Sequence, residues 1–435
     1  MEFCVTTIIR IFCLVALGSV LIGVLAIALF SHIGRDKRER LITVSAMSAL
    51  LTAWLSSIGA TIGLIFLPEG SINLLSITLC SLSDHAVQIE LIFDRLAAPF
   101  LVVTYSLCGI ASAFSRDYLH RDKGQGRFYF LVLLFSLGMS VVLLARNIPS
   151  MYVGWEVIGL TSALLISFFH ERGATRENAL RAFWAYRLSD TSLLLAGLLI
   201  GFGASSHGAS HLSPQIGGTA NDIVVPLLIL LAALPKSAQV PFSAWLPRAM
   251  EGPTPSSAIF YGGLSVHAGL YLLLRSRQLM VLPDWLLIPI FVLGAASAII
   301  GTMQASVQTD IKGSLAFASM AQVGLMFVEL ALGFHQLVIL HFIGHSAVRT
   351  YQILSANSSL HEGRLRRRSR SGKVSSVKGK FYQIAFLTSL RDGTGAHSLV
   401  TSLERISLFL GEIESIFTAN LSRVVSKIFG RKRSF

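Results

Sequence analysis

Ionisable residues within long apolar segments are the feature of this sequence that points most directly to chemistry. Glu156 lies in the segment YVGWEVIG, Lys236 lies in LPKSAQVP, and Asp190 follows Arg187 at the start of another apolar segment. Charged side chains are costly inside a bilayer, and they usually face the interior of a helix bundle or a hydrated cavity. Each of these residues is therefore a candidate for ion or proton transfer.

Lys236 lies between two prolines, Pro235 and Pro241, within one apolar segment. Proline removes a backbone donor, so this pair predicts a broken helix, which a membrane tolerates where the freed groups line a cavity or find protein partners. A buried lysine beside a carboxylate can load or release a proton as the ion pair closes or opens. We expect Glu156 to be that carboxylate. A static salt bridge between helices is the alternative.

Histidines form a second group of candidates. His341 and His345 are four residues apart, so they project from one face of a helix, and Arg349 continues the row. Histidine titrates near neutral pH, which suits a proton relay. Structural hydrogen bonding and metal ligation are the alternatives for this pair. His267 lies in a glycine-rich segment, where close helix packing and a relay role are equally compatible with the sequence.

The elements that position these residues are expected to be membrane helices. The chain has 435 residues, of which 53% are hydrophobic and 14% charged, whereas soluble domains have about 25% charged residues. This composition excludes an ordinary soluble enzyme, and the net charge of +13 does not indicate nucleic-acid binding because most of the chain is apolar. The four cysteines are too few and too widely spaced for a zinc or iron–sulfur site. We therefore expect no cofactor, no metal and no redox site in this chain.

A bilayer core about 30 Å thick needs about 20 apolar residues per helix. By this measure we expect an all-α polytopic membrane protein with about eleven transmembrane helices. The first is expected to be a retained helix, because it lacks the basic start and the cleavage site of a signal peptide. The predicted spans cover residues 6–30, 42–67, 92–114, 127–145, 149–169, 180–203, 222–244, 254–274, 285–304, 312–332 and 334–355.

The distribution of lysine and arginine predicts the orientation and the organisation of the chain. Almost all basic loop residues fall on one side, which places the N-terminus outside and the C-terminus in the cytoplasm, at a bacterial plasma membrane. We expect N-terminal membrane helices with an external loop (1–91), a proton-translocation domain (92–355) and a basic cytoplasmic tail (356–435). The tail is expected to contact anionic lipid, and its apolar spacing favours an amphipathic surface helix over a twelfth span.

Several motifs occur in a fixed order along the chain. They are GWE at 154–156, KSAQ at 236–239, WLPRAMEGPTPSSA at 245–258, DIK at 310–312 and HxxxH at 341–345. With these motifs, residues from about 90 to 355 resemble the antiporter-like L subunit of NADH-quinone oxidoreductase, respiratory complex I. The same family includes Mrp-type cation/proton antiporter subunits and the membrane subunit of a two-component inorganic carbon transporter. The segment from Lys236 to Ala258 is the most specific part of the resemblance.

The resemblance implies a fold of inverted five-helix repeats, with a broken seventh helix and a proton channel half across the membrane. It implies that Lys236 is the central protonatable group, Glu156 its switching partner, and Asp190 with Arg187 the neighbouring ion pair. It also implies a hydrated polar axis that contains Lys312, His341 and His345.

Three departures from the family pattern modify these expectations. Tyr261 occupies the position of a family histidine, with His267 as a possible substitute, and Arg349 replaces a lysine. The second repeat is expected to be incomplete, because no second broken helix and no lateral helix are predicted after the eleventh span.

Four functional hypotheses follow. The first is a proton-translocating subunit of a complex I-like assembly, whose partner subunits hold flavin and iron–sulfur clusters. The alternatives are the membrane subunit of an inorganic carbon (bicarbonate or CO2) transporter with a zinc-containing partner, an Mrp-type antiporter subunit that exchanges protons for Na+, and a non-transporting structural subunit.

Overall fold

Helices dominate the protein, as the sequence predicts. The structure is a computed structural model, and it describes residues 2–30, 35–68, 70–82, 85–205, 221–279, 282–308 and 310–356. The predicted basic tail and its amphipathic helix lie outside these residues, except for Ala356. The helices are α1 Glu2–Phe30, α2 Arg35–Ile65, α3 Ala97–Tyr118, α4 Gln125–Leu144, α5 Ile148–Ile166, α6 Gly173–Ser205, α7 Asn221–Lys236, α8 Trp245–Arg248, α9 Thr254–Ser257, α10 Ala268–Gln278, α11 Leu287–Val307, α12 Ile311–Ala331 and α13 His335–Ser355.

Eight helical segments of the described chain are long and apolar enough to cross a membrane. This confirms an all-α polytopic membrane protein. The other three predicted spans correspond to α6 and α13, which are more polar, and to α7, which is only 16 residues long. The total of about eleven spans therefore remains a prediction.

The segment expected to be an external loop contains a β-hairpin. Strands β1 (Ser71–Leu82) and β2 (His85–Asp94) are antiparallel, and Ser71 pairs with Asp94 at their open end. One face of the hairpin buries alternate apolar side chains, which is the two-residue period of a strand. Hydrogen bonds from Arg146 N to Glu90 O (3.0 Å) and from Asn147 Nδ2 to Gln88 O (2.9 Å) fix β2 to the start of α5.

The seventh helix is broken where the prolines predict it. Helix α7 ends at Lys236, and the chain continues as turns and irregular backbone through residues 237–244 before it enters α8. The last carbonyl groups of α7 find partners from other elements, as a break inside a membrane requires. Ser189 Oγ donates to Ala232 O at 2.6 Å, and the Trp245 indole donates to Pro235 O at 3.0 Å. The predicted span 222–244 is thus a helix as far as Lys236 and irregular beyond it.

The segment Thr254–Gln278 forms the centre of the bundle, and its membrane window is wholly buried by protein. It is not a regular helix. A π-helical turn covers Ala258–Gly263 and a 3-10 turn covers Ser265–His267. Such π-turns in helices are frequently found at functional sites, and this one places His267 inside the bundle.

Candidate functional site

Lys236 lies in a fully buried pocket of mixed polar and aromatic groups. Its Nζ donates to the backbone carbonyl of Trp155 at 3.0 Å and lies 3.4 Å from Asp190 Oδ1. The rings of Trp155 and Tyr186 face the ammonium group, with centroids 4.9 and 4.8 Å from Nζ. Aromatic faces attract cations most strongly where water is excluded. One carboxylate, one carbonyl group and two aromatic faces therefore surround the ammonium group and replace its hydration shell.

A second cation, Arg187, joins Asp190 to Glu156. Its Nη2 lies 2.6 Å from Asp190 Oδ2 and 2.5 Å from Glu156 Oε2. A further hydrogen bond joins Arg187 Nη1 to Glu156 Oε1 at 3.1 Å, and the Tyr152 hydroxyl donates to the same oxygen at 2.6 Å. Asp190, and not Glu156, is therefore the carboxylate in contact with Lys236. The guanidinium of Arg187 takes the Glu156 carboxylate, which corrects the predicted direct Glu156–Lys236 pair.

These four groups form a row that runs from partial exposure to complete burial, and we call it the charge row. Glu156 and Arg187 have side chains that are 28% and 30% exposed, whereas Asp190 and Lys236 are 2% and 0% exposed. With all four groups ionised the charges balance. Removing one proton from Lys236 therefore leaves a net negative charge in a dry environment. Charges interact strongly there, so a shift of Arg187 changes how well the lysine keeps its proton.

The local sequence explains why the lysine fits between the helices. A Cβ atom placed on Gly159 would lie 3.2 Å from Lys236 Nζ, so glycine leaves the room that the ammonium group occupies. The Trp155 indole donates to Ser189 Oγ at 3.0 Å, and Ser189 in turn donates to Ala232 O. These bonds tie α5, α6 and α7 together beside the lysine.

The histidines form a second cluster around α13. His267 Nε2 and His345 Nδ1 are 3.1 Å apart, and the rings of His341 and His345 have centroids 6.3 Å apart. His341 also contacts Glu329, with 2.8 Å between Nδ1 and Oε1. Among the residues that the structure describes, no group of three or more histidine, cysteine or acidic side chains is arranged to hold a metal ion.

The remaining predicted residues lie apart from these clusters. Lys312 is half-buried in the first turn of α12, just after Asp310, which caps that helix by accepting from Gly313 N. In the described part of the chain Lys312 makes no hydrogen bond or ion pair with either cluster. Tyr261 is buried against the Trp245 ring, with centroids 5.7 Å apart, and Trp245 packs on Tyr186. These three rings form a continuous series of contacts that begins at the lysine.

Two of the groups that sequence reasoning missed at these sites show where a signal was absent and where one was available. One is the Trp155 carbonyl, which no residue-type pattern could indicate. The other is Glu329, which precedes His341 by twelve residues but lies across a short helical connection. Because a short loop between two helices makes them antiparallel neighbours, that connection was the available signal.

Sequence comparison places this chain in a known family. The family described as NADH:quinone oxidoreductase/Mrp antiporter, TM matches residues 145–388, more than half of the chain. The chain belongs to this family. The family described as NADH-Ubiquinone oxidoreductase (complex I), chain 5 N-terminus matches residues 80–129. Membership confirms the resemblance that the motifs predict.

Curated relatives agree with this assignment. NADH-ubiquinone oxidoreductase chain 5 of Cryptococcus neoformans is 30% identical over 434 residues, which cover 94% of this chain and 65% of the relative. NADH-quinone oxidoreductase subunit L of Buchnera aphidicola is 33% identical over 287 residues, which cover 64% of this chain and 46% of the relative. The chain thus spans less than two thirds of the length of these relatives.

Two solved assemblies contain chains of similar fold. A chain of the Mrp complex from Dietzia sp. DQ12-45-1b has a TM-score of 0.65 and 26% identity, with 79% of this chain and 37% of that chain covered. A chain of the membrane-bound sulfane sulfur reductase, an archaeal respiratory membrane complex, has a TM-score of 0.66 at 19% identity, with 79% and 70% covered. The second comparison concerns the fold alone. Both similar chains belong to multi-subunit membrane complexes.

Proposed function

We propose that this chain is a proton-translocating membrane subunit of a complex I-like assembly. The observation that supports the proposal is the position of Lys236, which is fully buried at a helix break and contacts a carboxylate that a second cation shares. Broken helices inside the membrane are characteristic ion sites of transport folds. Membership in the family supports the same conclusion.

The charge row suggests how a proton would move. While Arg187 is shared between Glu156 and Asp190, the other oxygen of Asp190 contacts Lys236 and stabilises the ammonium form. If Arg187 moves fully onto Asp190, the lysine loses its counter-charge in a dry environment, and the proton leaves it. The predicted Glu–Lys switch thus becomes an indirect exchange, in which Arg187 connects Glu156 to the Asp190–Lys236 pair.

The test is proton flux after reconstitution of the purified native assembly into vesicles, with a pH-sensitive dye inside and an imposed membrane potential. We expect Lys236→Ala to abolish flux while the assembly remains intact by size-exclusion chromatography. Lys123→Ala is the matched control, because Lys123 is an exposed lysine in the connection before α4. Full flux in an intact Lys236→Ala assembly would refute the proposal.

An Mrp-type cation/proton antiporter subunit is the second candidate, and the structural similarity to a chain of the Mrp complex favours it. Flux that rises with sodium would support this candidate, whereas flux that is independent of sodium would support the complex I-like role.

The partners also distinguish the hypotheses. Iron with flavin in the co-purified subunits would indicate a complex I-like assembly, and stoichiometric zinc on one large soluble partner would indicate inorganic carbon transport. We propose a bacterial plasma membrane location with the N-terminus outside, the basic tail on anionic lipid, and the redox or zinc cofactors in other subunits.

A further inference from the structure

Glu329 and His341 form a pair near the end of the bundle at which α12 joins α13. Helix α12 ends at Ala331 and α13 begins at His335, so only three residues connect the two helices. Glu329 lies in the last turn of α12. His341 lies about 9 Å along α13 from its first residue, given a rise of 1.5 Å per residue. Both side chains are about one-fifth exposed, at 18% and 20%. The pair therefore lies within about two helical turns of the connection between α12 and α13.

His341 contacts a side chain of α12 through each of its two ring nitrogens. Its Nδ1 faces Glu329 Oε1 at 2.8 Å, and its Nε2 faces Gln322 Oε1 at 3.0 Å. A neutral imidazole has one donor nitrogen and one acceptor nitrogen, so it cannot donate to two oxygen atoms at once. The Gln322 amide can also present its NH2 group to Nε2, so both contacts are hydrogen bonds with a neutral ring that donates to Glu329 from Nδ1, and the ring can pass that proton to the carboxylate.

The same ring faces the buried histidine pair. His267 is fully buried, and its contact with His345 uses the Nδ1 atom of the second ring. The other nitrogen of His345, Nε2, is buried and has no hydrogen-bond partner in the described part of the chain. The centroid distance of 6.3 Å between His345 and His341 is too long for a direct bond, but one water molecule can bridge such a gap. The groups thus form a row from complete burial to partial exposure.

We propose that Glu329 is the terminal proton carrier of this chain, and that it releases protons at the end of the bundle where α12 joins α13. In the transfer step the N–H bond of His341 Nδ1 breaks, an O–H bond forms at Glu329, and the carboxylic acid then gives the proton to surface water. The second oxygen of Glu329, Oε2, is buried and accepts no hydrogen bond from the described residues. This inference rests on the proposed function and adds a site of proton release to it.

Two substitutions separate proton transfer from a structural role. Glu329→Gln keeps an oxygen that can accept from His341 but removes the titratable group, whereas Glu329→Asp keeps the titratable group but shortens the side chain. A proton carrier predicts that glutamine lowers flux at least tenfold and that aspartate retains most of it. If Glu329 only makes a structural hydrogen bond, glutamine should retain flux and the shorter aspartate should lose it. Asp284→Asn is the matched control, because Asp284 is an exposed carboxylate that chain order places at the same end of the bundle.

The flux assay is the one described for Lys236, with Lys236→Ala measured in parallel. The inference is supported if Lys236→Ala and Glu329→Gln both lose flux while Glu329→Asp and Asp284→Asn retain it. It is overturned if Glu329→Gln keeps flux within twofold of the unmodified protein while Lys236→Ala has none, and in that case the proposed function survives. If Lys236→Ala also keeps full flux, or if the unmodified protein moves no protons, both proposals are wrong.

Discussion

Replacing Asp190 by asparagine leaves the Lys236 ammonium group without the carboxylate that contacts it. The two charged atoms are 3.4 Å apart and both side chains are buried, so water screens them little. With an effective dielectric constant near 20, their attraction is about 5 kcal/mol. Removing one partner of a buried ion pair costs about 3–5 kcal/mol. We therefore expect Asp190→Asn to lower the free energy of unfolding by about 3–5 kcal/mol.

The companion substitution Lys236→Met is expected to cost less, because Asp190 keeps its contact with Arg187 at 2.6 Å. The double variant should then be only slightly less stable than Lys236→Met alone, since asparagine beside methionine leaves no buried charge unpaired. This amounts to a coupling free energy of about 3 kcal/mol or more between the two positions. Proton flux should be lost in the double variant and in Lys236→Met, because neither contains the lysine.

The assay is denaturant titration of the purified protein in mixed micelles, combined with flux measurements in vesicles. The Asp94–Arg275 ion pair provides the control, because it is also largely buried but joins the β-hairpin to α10. Asp94→Asn should lower stability without changing the flux of the folded fraction. Additive costs within about 0.5 kcal/mol would refute the coupling. Flux restored in the double variant would show that the pair only fixes helix packing.

Two further predictions concern helix packing and the histidines. A Cβ atom on Gly154 would lie 2.5 Å from Gly138 O, so Gly154→Val should separate α4 from α5 and destabilise by about 1–3 kcal/mol. Gly109→Ala is the control, because no atom lies within 4 Å of its Cβ position, and equal melting temperatures for the two variants would contradict the packing argument. His345→Gln should lower flux at least about tenfold with folding retained, because glutamine cannot relay a proton as imidazole does. His120→Gln, at a position 60% exposed, should leave flux unchanged, and normal flux in His345→Gln would remove the histidines from the path.

The break in α7 could be predicted because proline acts on its own backbone. The residue that contacts Lys236 could not be predicted, because it depends on how each helix is rotated about its axis. Pro235 and Pro241 act on their own backbone, so their spacing indicates where α7 must end. The partner of Lys236 instead depends on how α6 is rotated. Arg187 and Asp190 are three residues apart on one face, and sequence alone does not say which of them points to α7. For this reason the sequence did not indicate that Asp190 is the carboxylate in contact with Lys236.

The sequence contained a strand pattern for the β-hairpin, but the apolar composition of the chain led to a different interpretation. Alternation of apolar and polar residues between Ile72 and Phe93 is typical of strands, and the structure buries both of these side chains. In a chain dominated by long apolar segments, a connection of this length was interpreted as an external loop. Tertiary contacts with α5 and α10 stabilise the hairpin, since an isolated two-stranded hairpin is only marginally stable in water.

The complete burial of the window within Thr254–Gln278 separates two kinds of surface in this protein. In the corresponding windows of α1 and α11, only 33% and 39% of positions are buried. A neighbouring subunit therefore has access to the apolar faces of helices such as α1 and α11, but not to the central segment. Substitutions that disturb assembly with other chains should accumulate on those outer faces. Substitutions around His267 can act only through this chain's own interior, so a screen for assembly defects and a screen for transport defects should yield different helices.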